Sequence, residues 1–388
     1  MRPVLLCLLA TALPATAADP AGFPKFEPQE IATDLSIGYA VKLADIDGDG
    51  KLDVVVVDKH RVVWHQNPTW KRRTILTGVT RPDNVSLAAL DIDGGGDLEL
   101  VLGAGWNPSD TATPGTLHWL KRGKTLDAGW TAHAIPCDEP TVHRIIAANV
   151  LGDKKPEIVM APLMGRGSTA KGNHTDGRPC RVVAYPIPAD PVKGPWEPVV
   201  IADTLHVVHN LTVAGGDLYT ASYEGVTHFK RSKTFPWQPA NDVPRPGNQA
   251  NSKGSRGSSE VAVDGSLVAT IEPWHGNQVV IYEGAKRTVL DDHLRWGHAV
   301  KIADFGGQKI VVVGVRDDPA KGDTFAERRG IRLYRKTAAG TWERTVVESG
   351  GLAVEDLAVG DLNGDGRPDI VAVGRATGNC RIYWNRGN

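Results

Sequence analysis

The chain has 388 residues, with 44 Lys and Arg against 45 Asp and Glu, and Trp (11) outnumbers both Tyr (7) and Phe (6). A charge balance this near zero gives no electrostatic case for nucleic acid or an acidic membrane surface, and no run beyond the N-terminus is apolar for long enough to span a bilayer. The 43 Gly and 26 Pro point to many turns between many short strands.

At the N-terminus, Arg2 precedes the apolar run from Val4 to Leu9, and Ala15-Thr16-Ala17 supplies a small-x-small cleavage pattern. Residues 1–18 therefore read as a secretory signal peptide, and the protein is expected outside the cell or in the periplasm. Cys7 lies inside the apolar run and is not read as a lipid anchor. Three further cysteines remain, Cys137, Cys180 and Cys380. In an oxidising compartment Cys137 and Cys180, which fall in one repeat, can pair, or all three remain thiols.

The rest, 22–388, is expected to form one domain of repeats. Val41–Val57 reads strand, acidic turn, strand, and Leu357–Gly374 repeats the pattern. Asp45 aligns with Asp91, Asn149, Asp304 and Asp361. Two further copies, around Gly215 and Asp264, keep the strands but have lost the turn. Seven units spaced by about 53 residues suit four-stranded propeller blades. Outer strands with an aromatic start precede several units, at Trp130, Trp196 and Trp342. Phe26–Leu35 carries that pattern before the first unit, and the last unit lacks an outer strand. The expected fold is an all-β, seven-bladed β-propeller, closed by the N-terminal strand completing the last blade. Long loops are expected over 163–181 and 235–259.

Two intact turns, Asp45, Asp47, Asp49, Asp53 and Asp361, Asn363, Asp365, Asp369, have the oxygen donors of a structural calcium site. The same residues also make good tight turns without an ion. Six residues before the turn aspartate, reading round the ring, stand Tyr39, Val85, His143, His209, Ser259, His298 and Glu355. The next position adds Ser86, Arg144, Asn210, Glu260 and Asp356. A ring brings these together at one mouth of the channel. His143, His209 and His298 can hold zinc or a similar divalent metal there. The loops that return to this mouth carry Lys59-His60, Trp106-Asn107, Arg166, Lys171, His174, Tyr223-Glu224, Trp274-His275, Arg316-Asp317 and Arg375. Such Trp faces stack on sugars, and Arg forks onto hydroxyls or carboxylates.

The acidic-turn units resemble FG-GAP/VCBS repeats, which form propellers. Val142-His143-Arg144, His206-Val-Val-His209-Asn210, Glu272-Pro-Trp-His-Gly276 and Trp296-Gly-His-Ala299 resemble the propeller domain of the aldos-2-ulose dehydratase family. That family eliminates water from ketosugars with the help of a metal bound in the propeller. It also carries C-terminal cupin domains for an isomerase step, which this chain is expected to lack. The resemblance implies a carbohydrate-active carbon–oxygen lyase, working by β-elimination on a ketosugar or a uronic-acid-containing saccharide. In that reading His275 or Glu355 is the base, and Glu260 or Tyr39 the acid. Trp106, Trp274, Arg144, Asn210 and Arg316 hold substrate, and Arg166 neutralises a uronate. The alternative is a non-catalytic FG-GAP propeller that binds a glycan or a protein at the same mouth. The expected protein is a monomer with a carbohydrate ligand, no nucleic acid and no membrane span.

Overall fold

The β-branched run after each acidic turn becomes the second strand of a blade. Val54–Val57 are wholly inaccessible to solvent, because a neighbouring blade covers each face of that strand. This is why the run is continuously apolar rather than alternating. The computed structural model describes residues 22–152, 155–240, 245–250, 255–316 and 329–388. The leader read at 1–18 and Asp317 lie outside the described residues.

The described residues form seven antiparallel sheets arranged as seven blades, and no helix. The innermost strands, in order, are Gly38–Ala44, Ser86–Leu90, Val142–Ala148, Asn210–Ala214, Glu260–Asp264, Gly297–Asp304 and Val354–Gly360. We number the blades 1 to 7 in that order. The core is distributed between blades. Val55, Val57 and Trp64 of blade 1, for example, pack on Leu100 and Leu102 of blade 2.

Blade 7 takes the N-terminal strand Phe26–Ala32 as its outer strand, antiparallel to Cys380–Asn385. Glu27 faces Trp384 and Glu30 faces Arg381 in that register. The Glu30 carboxylate accepts from Arg381 at 2.6 Å, and Phe26 packs edge-on against Phe305 of blade 6 at 6.2 Å. The ring is therefore closed as the sequence pattern requires.

Blade 4 departs from the four-strand expectation, with three strands ending at Gly225–Phe229. Single bridges from Arg245 to Val226 and from Pro239 to Phe229 cover its edge. Pro236, Pro239 and Pro246 cannot donate to a ladder, so this stretch lies against the edge without becoming a strand. Trp237 anchors it, fully buried, with its backbone N–H donated to the Ile201 oxygen of blade 3 at 2.7 Å.

Cys137, Cys180 and Cys380 are all free thiols, so the Cys137–Cys180 pairing weighed from sequence is not made. The two lie on opposite faces of blade 3, Cys137 in the core shared with blade 2 and Cys180 in the core shared with blade 4. Burial pushes the thiols up, to about 11 for Cys137 and about 12 for Cys180. They are core residues, not reactive ones.

Candidate functional site

The first residue of the inner-strand column is aimed by a local irregularity. In blades 1, 3, 6 and 7 the ladder slips by one residue, leaving Tyr39, His143, His298 and Glu355 as the extra residue of a β-bulge. A bulge bends the strand and re-aims the side chain of its extra residue. Two residues earlier the backbone turns left-handed in blades 2 to 6, at Asp83, Thr141, Val207, Gly257 and Trp296. Thr141 (φ 45°) and Val207 (φ 50°) are β-branched, for which this region is costly. Strain of that kind persists where surrounding structure over-determines it, commonly at a site.

The result is a nest of imidazoles. His143, His209 and His298 are 4%, 1% and 3% exposed. The His143 and His209 rings are 4.7 Å apart, and those of His209 and His298 5.0 Å. Each is oriented through Nδ1 by the next column residue. His143 donates to the His209 carbonyl at 3.0 Å, His209 to that of Ser259 at 2.9 Å, and His298 to that of Glu355 at 2.6 Å. A carbonyl oxygen only accepts, so Nδ1 carries the proton and Nε2 keeps its lone pair. Glu260 reinforces this at His209, 3.0 Å from Nδ1.

The second-strand loop of blade 5 supplies the fourth ring. A Cβ on Gly276 would lie 2.1 Å from the Glu272 carbonyl oxygen, so only glycine closes this turn. The turn places His275 Nε2 2.9 Å from His209 Nε2. Ring nitrogens of His209, His275 and His298 all lie within 4.8 Å of one another. Of the column histidines, His143 is outside this trio. Its Nε2 instead faces the Arg144 guanidinium at 3.4 Å. Burial holds all four imidazoles below their usual range, far below for His143, His275 and His298.

Around the rings is a cavity of about 210 Å³, walled by Tyr39, Trp106, Leu163, Met164, Trp274, Arg316, Glu355 and Arg375 as well as the histidines. Glu355 is buried and holds Arg316 at 3.1 Å and Arg375 at 2.8 Å. Tyr39 donates to Asp83 at 2.6 Å, and burial followed by that bond pushes its hydroxyl well above the ordinary phenol range. Glu260 lies just below the trio, bonded to His209 and Asn210 and 3.5 Å from Arg144.

Most of the residues picked from sequence thus meet here. Arg166 does not. The 163–181 loop turns its guanidinium away to the Ala112 and Asp138 carbonyls, and contributes Leu163 and Met164 to the cavity instead. Asp83 was not anticipated, nor was Trp296, which is 42% exposed, stacks on His275 at 6.3 Å and lies under Arg316 at 4.9 Å. The Trp296-Gly-His298 adjacency was the available signal for Trp296. The acidic turns lie at the far end of the inner strands. Asp45, Asp47 and Asp53 cluster there, as do Asp91, Asp93 and Glu99. In both intact turns the first aspartate accepts three backbone amides: Asp45 those of Gly48, Asp49 and Gly50, and Asp361 those of Gly364, Asp365 and Gly366.

Three family models match parts of the chain. Residues 30–102 match an FG-GAP-like repeat and 353–381 an FG-GAP repeat. The chain is a seven-bladed propeller, with FG-GAP-like repeats matched in its first and last stretches. Residues 114–285 match the family model for the aldos-2-ulose dehydratase β-propeller domain. That span includes His143, His209 and His275, and stops short of His298. No curated protein matches the propeller in sequence. Among solved structures it is similar to a streptogramin B lyase at 12% identity, TM-score 0.55, covering 93% of this chain and 98% of that one. It is also similar to BBS1N in its complex with ARL6DN at 11% identity, TM-score 0.55, covering 93% and 96%. Identities this low speak for the shared fold alone. Among the described residues no helix is long and apolar enough to cross a membrane.

Proposed function

We propose that the mouth is the active site of a metal-assisted carbon–oxygen lyase, which eliminates water from a ketosugar or a uronic-acid-containing saccharide. The observation that carries this is the convergence of ring nitrogens from His209, His275 and His298 in a cavity walled by two tryptophans. The donor set fits a divalent metal. Nδ1–H of His209 and of His298 is held by an oxygen, which fixes the tautomer and leaves Nε2 to ligate. A zinc-like ion bound there would supply a Lewis acid for the carbonyl oxygen of the substrate.

The chain's own groups supply the rest. Trp106 and Trp274 offer apolar faces to a sugar ring, and Arg316 and Arg375 offer donors to its hydroxyls or carboxylate. Both oxygens of Glu355 are committed to arginines at short range; His143, whose Nε2 lone pair meets the Arg144 guanidinium only at 3.4 Å, is the base we assign to the C–H proton beside the ketone. Tyr39, bonded to Asp83 and on the far side of Trp106 from His143, holds a proton that it can give to the departing hydroxyl. One C–H and one C–O bond break, a C=C bond forms, and water leaves.

Ketosugars and uronic oligosaccharides, each with and without chelator, test the reading. One substrate arm is expected to develop the ultraviolet absorbance of a conjugated enone. Chelator should abolish it and added zinc restore it. Saturable glycan binding with no absorbance in any arm would leave a binding module instead.

At the other end, we propose that the two intact turns bind structural calcium. Burial, with Asp47 and Asp49 nearby, pushes the Asp53 carboxyl up to about 6, a crowding that a cation relieves. Calcium at 100 times its Kd should stabilise by about 2.7 kcal/mol per site. Chelation should therefore lower Tm at pH 7, less so below about pH 6, where a proton replaces the ion on Asp53. Asp49→Ala with Asp365→Ala should remove the calcium dependence. A wild-type Tm indifferent to calcium refutes the assignment.

A further inference from the structure

Below the histidines the channel widens into a second cavity of about 230 Å³. Its wall takes Lys42 from blade 1, Ser86 from blade 2, Arg144 from blade 3, Asn210 from blade 4, Lys301 from blade 6 and Asp356 from blade 7. Lys42 and Lys301 occupy the same place in their blades, three residues after Tyr39 and His298. Charge on this wall is unbalanced. Asp356 spends its carboxylate on backbone amides, Oδ2 accepting from Val41 at 3.1 Å and Oδ1 from Leu357 at 3.0 Å. Glu260, just off the wall, is held by His209, Asn210 and Arg144. Neither lysine ammonium has a carboxylate within ion-pair distance among the described residues. Two ammonium groups sharing an enclosed space without partners are unfavourable unless something anionic joins them. Burial is the main cause that holds Lys42 below its usual range; Asp356 opposes it most, and Lys301 and Arg144 push the same way as burial.

We propose that this cavity is a binding site for a small oxyanion, held between Lys42 and Lys301 with Arg144, Asn210 and Ser86 as further donors. Ile146 and Thr212 line both this cavity and an open one that reaches Asn149, Gly215 and Gly216. The cavity thus adjoins an opening on the acidic-turn side, away from the mouth. The chemistry suits inorganic phosphate or sulfate and also a free carboxylate, and the comparison of anions tells these apart. The site does not depend on the metal or on the lyase reading, because none of its cations belongs to the histidine trio.

The test is calorimetric titration of the whole protein with phosphate, sulfate, acetate and chloride at matched ionic strength. Chelator is present throughout, so that anion binding to a metal is excluded. Saturable one-to-one binding of phosphate or sulfate but not chloride is expected, whereas preference for acetate would identify a carboxylate site. Lys42→Met and Lys301→Met should each weaken Kd at least about tenfold. Lys121→Met, on the outer face beside Asp93, should not change it. Both channel variants lose a repelling charge, so in anion-free buffer they should melt at or above the wild-type temperature. If either fails to fold, Lys42→Arg, which keeps the charge, should still bind. An adventitious ion only, seen as non-saturable binding or as affinity unchanged in both methionine variants, overturns the proposal.

Discussion

Alanine at any one of His209, His275 or His298 is expected to remove turnover almost completely while the propeller still melts as one unit. A Lewis acid at a carbonyl is worth several kcal/mol in the transition state. Loss of about 4 kcal/mol corresponds to roughly 10³-fold in rate. The fold should tolerate the change because none of the three rings is a charged partner in a core ion pair at pH 7: burial keeps them neutral. Glu260→Gln, which weakens the orientation of His209, should cost about 10–100-fold in metal affinity. His143→Ala separates the roles, since it should keep the metal and lose the reaction. His133, packed at a tilt against Trp119 at 4.9 Å in the outer strand of blade 2, is the control and should be silent. Acid acts with a definite sign. An imidazole must be neutral to ligate, and these are held below the ordinary value of about 6.5. Activity should therefore persist through pH 6 and fall below it. In the metal-free protein, stability should also fall below about 6.5, where the unfolded chain takes up protons that the folded chain refuses.

Deletion of residues 22–35 is expected to have the largest effect on stability. Among the described residues the N-terminal strand is the only cover for the Cys380–Asn385 edge, and six residue pairs define their register. The deletion removes the ladder, the Glu30–Arg381 and Glu27–Arg386 contacts and the Phe26–Phe305 packing together. At a net 0.5–1.5 kcal/mol per hydrogen bond, before any apolar contact is counted, the loss is on the order of 5 kcal/mol, as large as the whole stability of many domains. The shortened chain should aggregate through the bared edge or lose its cooperative transition, as read by calorimetry and light scattering. A soluble truncation with the wild-type Tm would show that the ring does not depend on this closure.

The parts legible in the sequence were those repeated in it. The acidic turns fixed where each inner strand ends, and counting back from them placed Tyr39, His143, His209, His298 and Glu355 on one rim. The outer-strand pattern of Phe26–Leu35 anticipated closure because a propeller cannot leave one blade short. Neither signal reports where a side chain points once the ladder slips. The bulges and left-handed residues ahead of the column turn His143 toward Arg144 and leave His209 and His298 to meet His275. His275 enters from a different strand through a turn that requires Gly276, so no shared spacing links it to the other rings. Arg166 was assigned from the loop it sits on, and a loop of that length can turn either way. The pairing considered for Cys137 and Cys180 rested on a shared repeat, yet a blade has two faces, and residues in one repeat can be buried on opposite sides.

Metal content decides the central claim most directly. Wild-type protein and His298→Ala, purified alike and dialysed against calcium but no chelator, would be analysed for transition metals by mass spectrometry. The wild type should carry about one zinc-like ion per chain, and the variant almost none, with both melting cooperatively. Equal metal content in the two proteins, or none in a wild type that still forms enone product, would contradict a metal site built on His209, His275 and His298.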